Sequence, residues 1–118
     1  MKENVVKGKS FEFALRIVKL YKFLCDKKEF ILSKQLLRSG TAIGALVREA
    51  EHAESKADFV HKMAISLKEA NETEYWIELL YQSEFLDKAS FQSIKTDIEE
   101  LLKLLTSIIK TTKQNAKK

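Results

Sequence analysis

Residues 91–108 read FQSIKTDIEELLKLLTSI. Phe91, Ile94, Ile98, Leu101, Leu105 and Ile108 alternate three and four residues apart, and only an α-helix turns that spacing into one continuous apolar stripe. Asp87 stands where its carboxylate can cap the first free amides of such a helix. After Ile109 the run gives way to Lys, Thr, Gln and Asn, so this reading places a fraying basic tail over about 111–118.

A helix with one apolar stripe must bury it against neighbours, and the preceding sequence supplies three more helices. From Ser10 onward, after a short lead over residues 1–8, Ala14, Ile17, Tyr21 and Leu24 recur at helical spacing, with Phe13, Val18, Leu20 and Phe23 beside them. That arc is wider than one core contact needs, which fits a helix touching both its own bundle and a neighbouring subunit, although core packing alone accounts for each aromatic taken singly. A second helix is expected after Ser33, whose hydroxyl can cap it, running to about Ala53 through Leu36, Leu37, Ile43 and Val47. Its Gly40 and Gly44 lie one turn apart on one face. Each costs about 1 kcal/mol relative to Ala, which points to close approach of another helix. Ser55-Lys56-Ala57-Asp58 has the form of a capping box and opens a third helix to about Leu86. Its seam reads Phe59, Met63, Leu67, Ala70, Glu74, Ile77 and Tyr81, with Glu74 as a charged interruption that needs a partner if buried. At about 30 residues this helix would be about 45 Å long. Short connections force neighbouring helices to run antiparallel, so the expected fold is all-α: one up-down-up-down four-helix bundle over 1–118, shaped as a rod.

The 118 residues and 13.6 kDa leave room for one domain. No proline, few glycines and 32% charged residues suit helices joined by short turns. A lone Cys25 cannot form an internal disulfide and fits a reducing compartment. The longest clean apolar run, Ala42 to Val47, falls far short of the roughly 20 residues of a membrane span. Lys7 and Lys9 break any apolar leader, so a soluble cytoplasmic chain is the expectation.

Lys and Arg exceed Asp and Glu by 21 − 17, a net charge of +4. The distribution is uneven. Met1 to Phe30 holds 8 basic and 4 acidic residues, Asp87 to Lys118 holds 7 and 4, and Glu54 to Leu86 holds 3 and 7. A nucleic-acid surface would therefore draw on the first and last helices, through Lys7, Lys9, Arg16, Lys19 and Lys22 together with Lys103, Lys110 and Lys113.

Glu49-Ala50-Glu51-His52 and Asp58-Phe59-Val60-His61 resemble metal-binding spacings of bundle enzymes. They flank a turn instead of facing each other in mid-bundle, and end-of-helix polar roles suit His52 and His61 better. No phosphate loop, dinucleotide glycine pattern or nucleophile with an identifiable base is present, so neither a catalytic site nor a cofactor is expected.

The run Gln35-Leu36-Leu37-Arg38-Ser39-Gly40-Thr41-Ala42-Ile43-Gly44-Ala45 resembles the signature of bacterial four-helix-bundle proteins related to 23S ribosomal RNA intervening-sequence proteins. Lys9-Ser10-Phe11 with Phe13-Ala14, Glu54 to Phe59, Ser66 to Ala70, Glu72-Thr73 and Tyr75-Trp76 are similar to that family in the same order. The resemblance implies a homopentamer of antiparallel bundles, and includes accessory proteins that bind a reverse transcriptase and nucleic acid. Five copies of +4 would carry 5 × 4 = +20, so phosphate-driven, salt-sensitive binding to RNA or DNA is the expected function. The rivals are a protein-protein interaction or structural module with no nucleic-acid role, and a metal-dependent bundle enzyme. Arg38 is expected to pair with Glu69 or Glu72 across the second and third helices.

Overall fold

Capping, seam spacing and turn geometry divide the chain into α1 (Lys2–Asp26), α2 (Leu32–Glu51), α3 (Lys56–Gln82) and α4 (Lys88–Ala116). These are the elements of a computed structural model, which describes residues 2–116. Contacts along each neighbouring pair run in opposite senses. Lys7 meets Glu51 and Ile17 meets Gly40 between α1 and α2. Ser66 meets Ile43 and Thr73 meets Ser39 between α2 and α3. Glu74 meets Lys95 and Tyr81 stacks on Phe91 between α3 and α4, while Lys9 meets Glu100 and Arg16 meets Asp97 between α1 and α4. The bundle is therefore up-down-up-down, a rod of 51 × 22 × 19 Å.

The α4 seam behaves as its spacing requires. Ile94, Ile98, Leu101, Leu105 and Ile108 are buried, and Phe91 at its start is half-buried with its ring stacked 4.0 Å from that of Tyr81. Asp87 caps the helix by accepting a hydrogen bond from the Ser90 amide at 2.7 Å. At α3 the Ser55 hydroxyl accepts from the Asp58 amide, and the Asp58 carboxylate accepts from the Glu54 amide.

Four boundaries and one seam differ from the sequence reading. The first helix starts at Lys2, not after a lead over 1–8: Val6 and Ser10 are both buried and carry the core stripe back from Phe13 by spacings of three and four. A serine at a core position hid that continuation. Its hydroxyl is satisfied by donating to the Lys7 carbonyl. At the other end α4 continues to Ala116, so most of the 111–118 tail is helical. Lys, Gln and Ala are good helix formers, and Lys113 in the last turn complements the helix dipole. Lys117 and Lys118 lie outside the described residues. Ser33 lies inside α2 and does not cap it. The cap is the Glu29 carboxylate, which accepts from the amides of Ile31, Leu32 and Ser33, while Ser33 donates to the Glu29 carbonyl. Helix α3 ends at Gln82, four residues short of Leu86. Its buried stripe runs Met63, Ser66, Ala70, Thr73, Ile77 and Leu80, so Glu74 lies beside the seam, half-buried, and pairs with Lys95. Ser66 and Thr73 enter the core because their hydroxyls have partners, Ser66 donating to the Ile43 carbonyl at 2.9 Å.

The two α2 glycines face α1, as expected. A Cβ on Gly40 would lie 2.8 Å from the Ile17 side chain, and one on Gly44 would lie 3.3 Å from the Ser10 carbonyl oxygen. Helices α1 and α3 both end without glycine. Lys28 and Glu84 adopt left-handed backbone, with φ of 64° and 68°. The Glu29 amide reaches back to the Leu24 carbonyl and the Phe85 amide to that of Leu80, the pattern of a Schellman motif.

Candidate nucleic-acid interface

The basic residues singled out by sequence fall into two groups. Lys7, Lys9 and Arg16 are engaged inside the protomer. Lys7 pairs with Glu51 and Lys9 with Glu100, each at 3.0 Å. Arg16 pairs with Asp97 and also donates to the Ser93 hydroxyl at 2.9 Å. These three residues tie α1 to α2 and α4. Lys19, Lys22, Lys103, Lys110 and Lys113 are exposed and have no ion-pair partner among the described residues.

The five exposed lysines do not form one patch on a protomer. Because Lys9 stands level with Glu100, antiparallel packing sets Lys22 level with the start of α4, about 35 Å of helix rise from Lys110. Lys19 lines an open groove of about 530 Å³ between α1 and α4, with Arg16, Leu20, Phe23, Leu86, Ser90 and Ser93. Lys103 lies further along α4 beside Thr96, Glu99, Glu100 and Leu104, so acidic side chains interrupt the basic flank there.

The acidic third helix is neutralised from within. Asp58 pairs with Lys62, Glu69 and Glu72 with Arg38, and Glu74 and Glu78 with Lys95, which accounts for every acidic residue of α3. Arg38 lies 2.8 Å from Glu69 and bridges to Glu72, which also accepts from the Trp76 indole at 3.0 Å. The Trp76 donor and the Arg38 charge hold the Glu72 carboxyl below its ordinary pKa. Glu78, then Glu74, hold the Lys95 ammonium above its own. Sequence placed Arg38, Glu69 and Glu72 together correctly. It missed the double bridge made by Lys95, whose only signal was two acidic residues four apart on the facing helix.

His52 caps the C-terminus of α2 and His61 lies on the exposed face of α3. Among the described residues no three His, Cys, Asp or Glu side chains come together as a metal site, and no helix is long and apolar enough to cross a membrane.

Comparison with known proteins adds the family. The model of the 23S rRNA-intervening sequence protein family matches residues 2–107. The chain belongs to this family. The matched region spans α1 to α3 and most of α4, and stops short of Lys110 and Lys113, so those two candidates lie beyond what defines a 23S rRNA-intervening sequence protein. A crystal structure of a protein of unknown function from the S23 ribosomal protein family of Bacteroides thetaiotaomicron VPI-5482 is 62% identical. It superposes with a TM-score of 0.92 over 93% of this chain and 99% of that one. No curated protein matches the chain.

Proposed function

We propose that this family member acts without catalysis, as a homo-oligomeric bundle that binds RNA or DNA through its surplus lysines. A homopentamer, which the family resemblance implies, is the assembly we favour. A reverse transcriptase is the protein partner that the same resemblance suggests. The observation that carries the reading is the division of charge. The acids of α3 are all committed to ion pairs, whereas Lys19, Lys22, Lys103, Lys110 and Lys113 project from α1 and α4 unpaired among the described residues. Side-by-side copies would repeat the two separated clusters around the assembly and give a phosphate backbone several places to bind. Affinity would come from counterion release and would carry little base preference.

Gel-shift titrations with a structured RNA and a duplex DNA at 50 and 200 mM salt test this. Binding should weaken at least about tenfold between the two salts, and Lys19→Glu with Lys22→Glu should weaken it further at low salt. Absence of salt-sensitive binding at micromolar protein would overturn the reading in favour of a protein-interaction module.

A further inference from the structure

Helix α2 begins on an isoleucine. Ile31 occupies the N-cap position, where serine, threonine, asparagine and aspartate are favoured and isoleucine is among the poorest choices. Its side chain makes no capping hydrogen bond, because the Glu29 carboxylate already accepts from the Ile31, Leu32 and Ser33 amides. Position 31 is thereby released from capping, yet its side chain does not join the core either. Ile31 is 77% exposed, and Phe30 before it is 52% exposed. Phe23, another large apolar side chain at the surface near this corner, differs in that the Lys27 ammonium covers its ring at 4.9 Å.

Residues 27–31 connect α1 to α2 at one end of the 51 Å rod, so Phe30 and Ile31 stand at a tip and not in a groove. The exposed charge around them is unequal. Lys27, Lys28 and Lys34 are exposed without an ion-pair partner among the described residues, against one exposed acid, Asp26. Glu29 is buried, with its carboxylate turned inward to the three amides. The α3–α4 corner at the same end adds Glu84, Asp87 and Lys88, of which Asp87 caps α4.

We propose that the Phe30–Ile31 tip is a membrane-contact site that inserts into the surface of an anionic lipid bilayer. Its apolar side chains enter the acyl boundary while Lys27, Lys28 and Lys34 remain among the anionic headgroups. A projection of two residues needs no matching cavity in lipid, whereas a folded protein partner would have to supply one. A nucleic acid would answer to the lysines but not to Ile31, whose branched side chain offers no flat face for a base to stack on. Among the described residues no helix is long and apolar enough to cross a membrane, so the contact is confined to the bilayer surface. It is independent of the α1 and α4 lysines assigned above to RNA or DNA.

Vesicle flotation tests this with the full chain. The probes are vesicles of equal phosphatidylglycerol and phosphatidylcholine, and vesicles of phosphatidylcholine alone, each at about 1 mM accessible lipid. The wild type should float with the anionic vesicles and bind the neutral ones at least about tenfold more weakly. Ile31→Ser should lower binding to the anionic vesicles at least about tenfold, because the inserted apolar area is lost. Serine is a favoured N-cap, so its Tm should not fall. Lys28→Gln with Lys34→Gln should also weaken binding at least about tenfold and reduce the preference for anionic lipid. A wild type that stays with the aqueous phase overturns the proposal. So does flotation that Ile31→Ser leaves unchanged, which would assign binding to lysines elsewhere. A changed sedimentation mass or lost RNA binding in Ile31→Ser, with flotation intact, overturns it by assigning the tip to another copy or to nucleic acid.

Discussion

Removing the carboxylate of Glu29 tests how α2 begins. That carboxylate is buried and accepts from three successive amides, Ile31 at 3.2 Å, Leu32 at 2.9 Å and Ser33 at 2.7 Å. These amides have no partner within the helix, and the positive end of the helix dipole reinforces their pull on an anion. Burial works to raise the Glu29 pKa, but the amide bonds outweigh it and hold the carboxyl below the ordinary glutamate value. Glu29→Ala leaves the amides unsatisfied at a buried turn. The loss should be about 2 kcal/mol, the upper end of the range for a lost cap. With an unfolding entropy of about 2.1 cal/mol/K per residue, this corresponds to a fall of about 8 °C in Tm. Glu29→Gln keeps one acceptor and should lose about half as much.

The pH dependence follows from the same contacts. Because the folded-state pKa is depressed, the contribution of ionised Glu29 is fully present above its unfolded value, about 4.3, and is lost as pH falls through the lower folded value. Thermal melts of wild type and Glu29→Gln at one protein concentration should therefore differ at pH 7 and draw progressively together as pH falls below about 4. A gap that stays constant down to pH 3, or no loss of Tm in Glu29→Ala, would refute this account of the cap.

Three further outcomes can be measured by denaturant unfolding. Arg38→Leu should cost about 1 kcal/mol, held to that size because the Arg38 side chain is 50% exposed, although Glu69 beside it is only 13% exposed; an unchanged midpoint would show that the pair contributes nothing to joining α2 and α3. Gly40→Ala should destabilise by about 2 kcal/mol, because the new Cβ meets the buried Ile17 side chain within 3.0 Å and overpacking outweighs the gain in helix propensity. Gly44→Ala should lie within about 1 kcal/mol of wild type, and the reverse order would overturn the packing argument. Lys28→Gly and Glu84→Gly should each stabilise by about 1 kcal/mol, since glycine adopts left-handed backbone without the strain of a side chain.

The parts of this fold that were readable in advance are those where one residue reports its own environment. Ile94 to Ile108 could only be a buried helical stripe, Ser55 and Asp58 could only gain from capping, and two glycines one turn apart needed a close neighbour. The errors arose where a polar residue took an apolar role or a partner lay across a turn. Ser10 interrupted the pattern that leads back to Val6, and Thr73 entered the core in place of Glu74 because its hydroxyl sits 2.9 Å from that of Ser39. Glu29 precedes α2 by three residues, so its role depends on a turn conformation that single-residue preference does not encode. The C-termini of α1 and α3 were hidden because lysine and glutamate occupy positions where glycine would have marked the stop. At the candidate interface, net charge located the basic helices but not the ion pairs that occupy Lys7, Lys9 and Arg16, since pairing depends on register between distant segments.

The opposed directions of α1 and α4 set Lys2 within hydrogen-bonding reach of Ser107, so the start of α1 and the last turns of α4 lie at one pole of the rod. A short flexible tether could join the two ends, and the peptide could be opened instead in the α2–α3 connection at Glu54 without breaking any helix. Tags or fused domains added at either terminus would all project from one pole of the rod, leaving the α1–α2 and α3–α4 corners at the opposite pole free for whatever the molecule meets there.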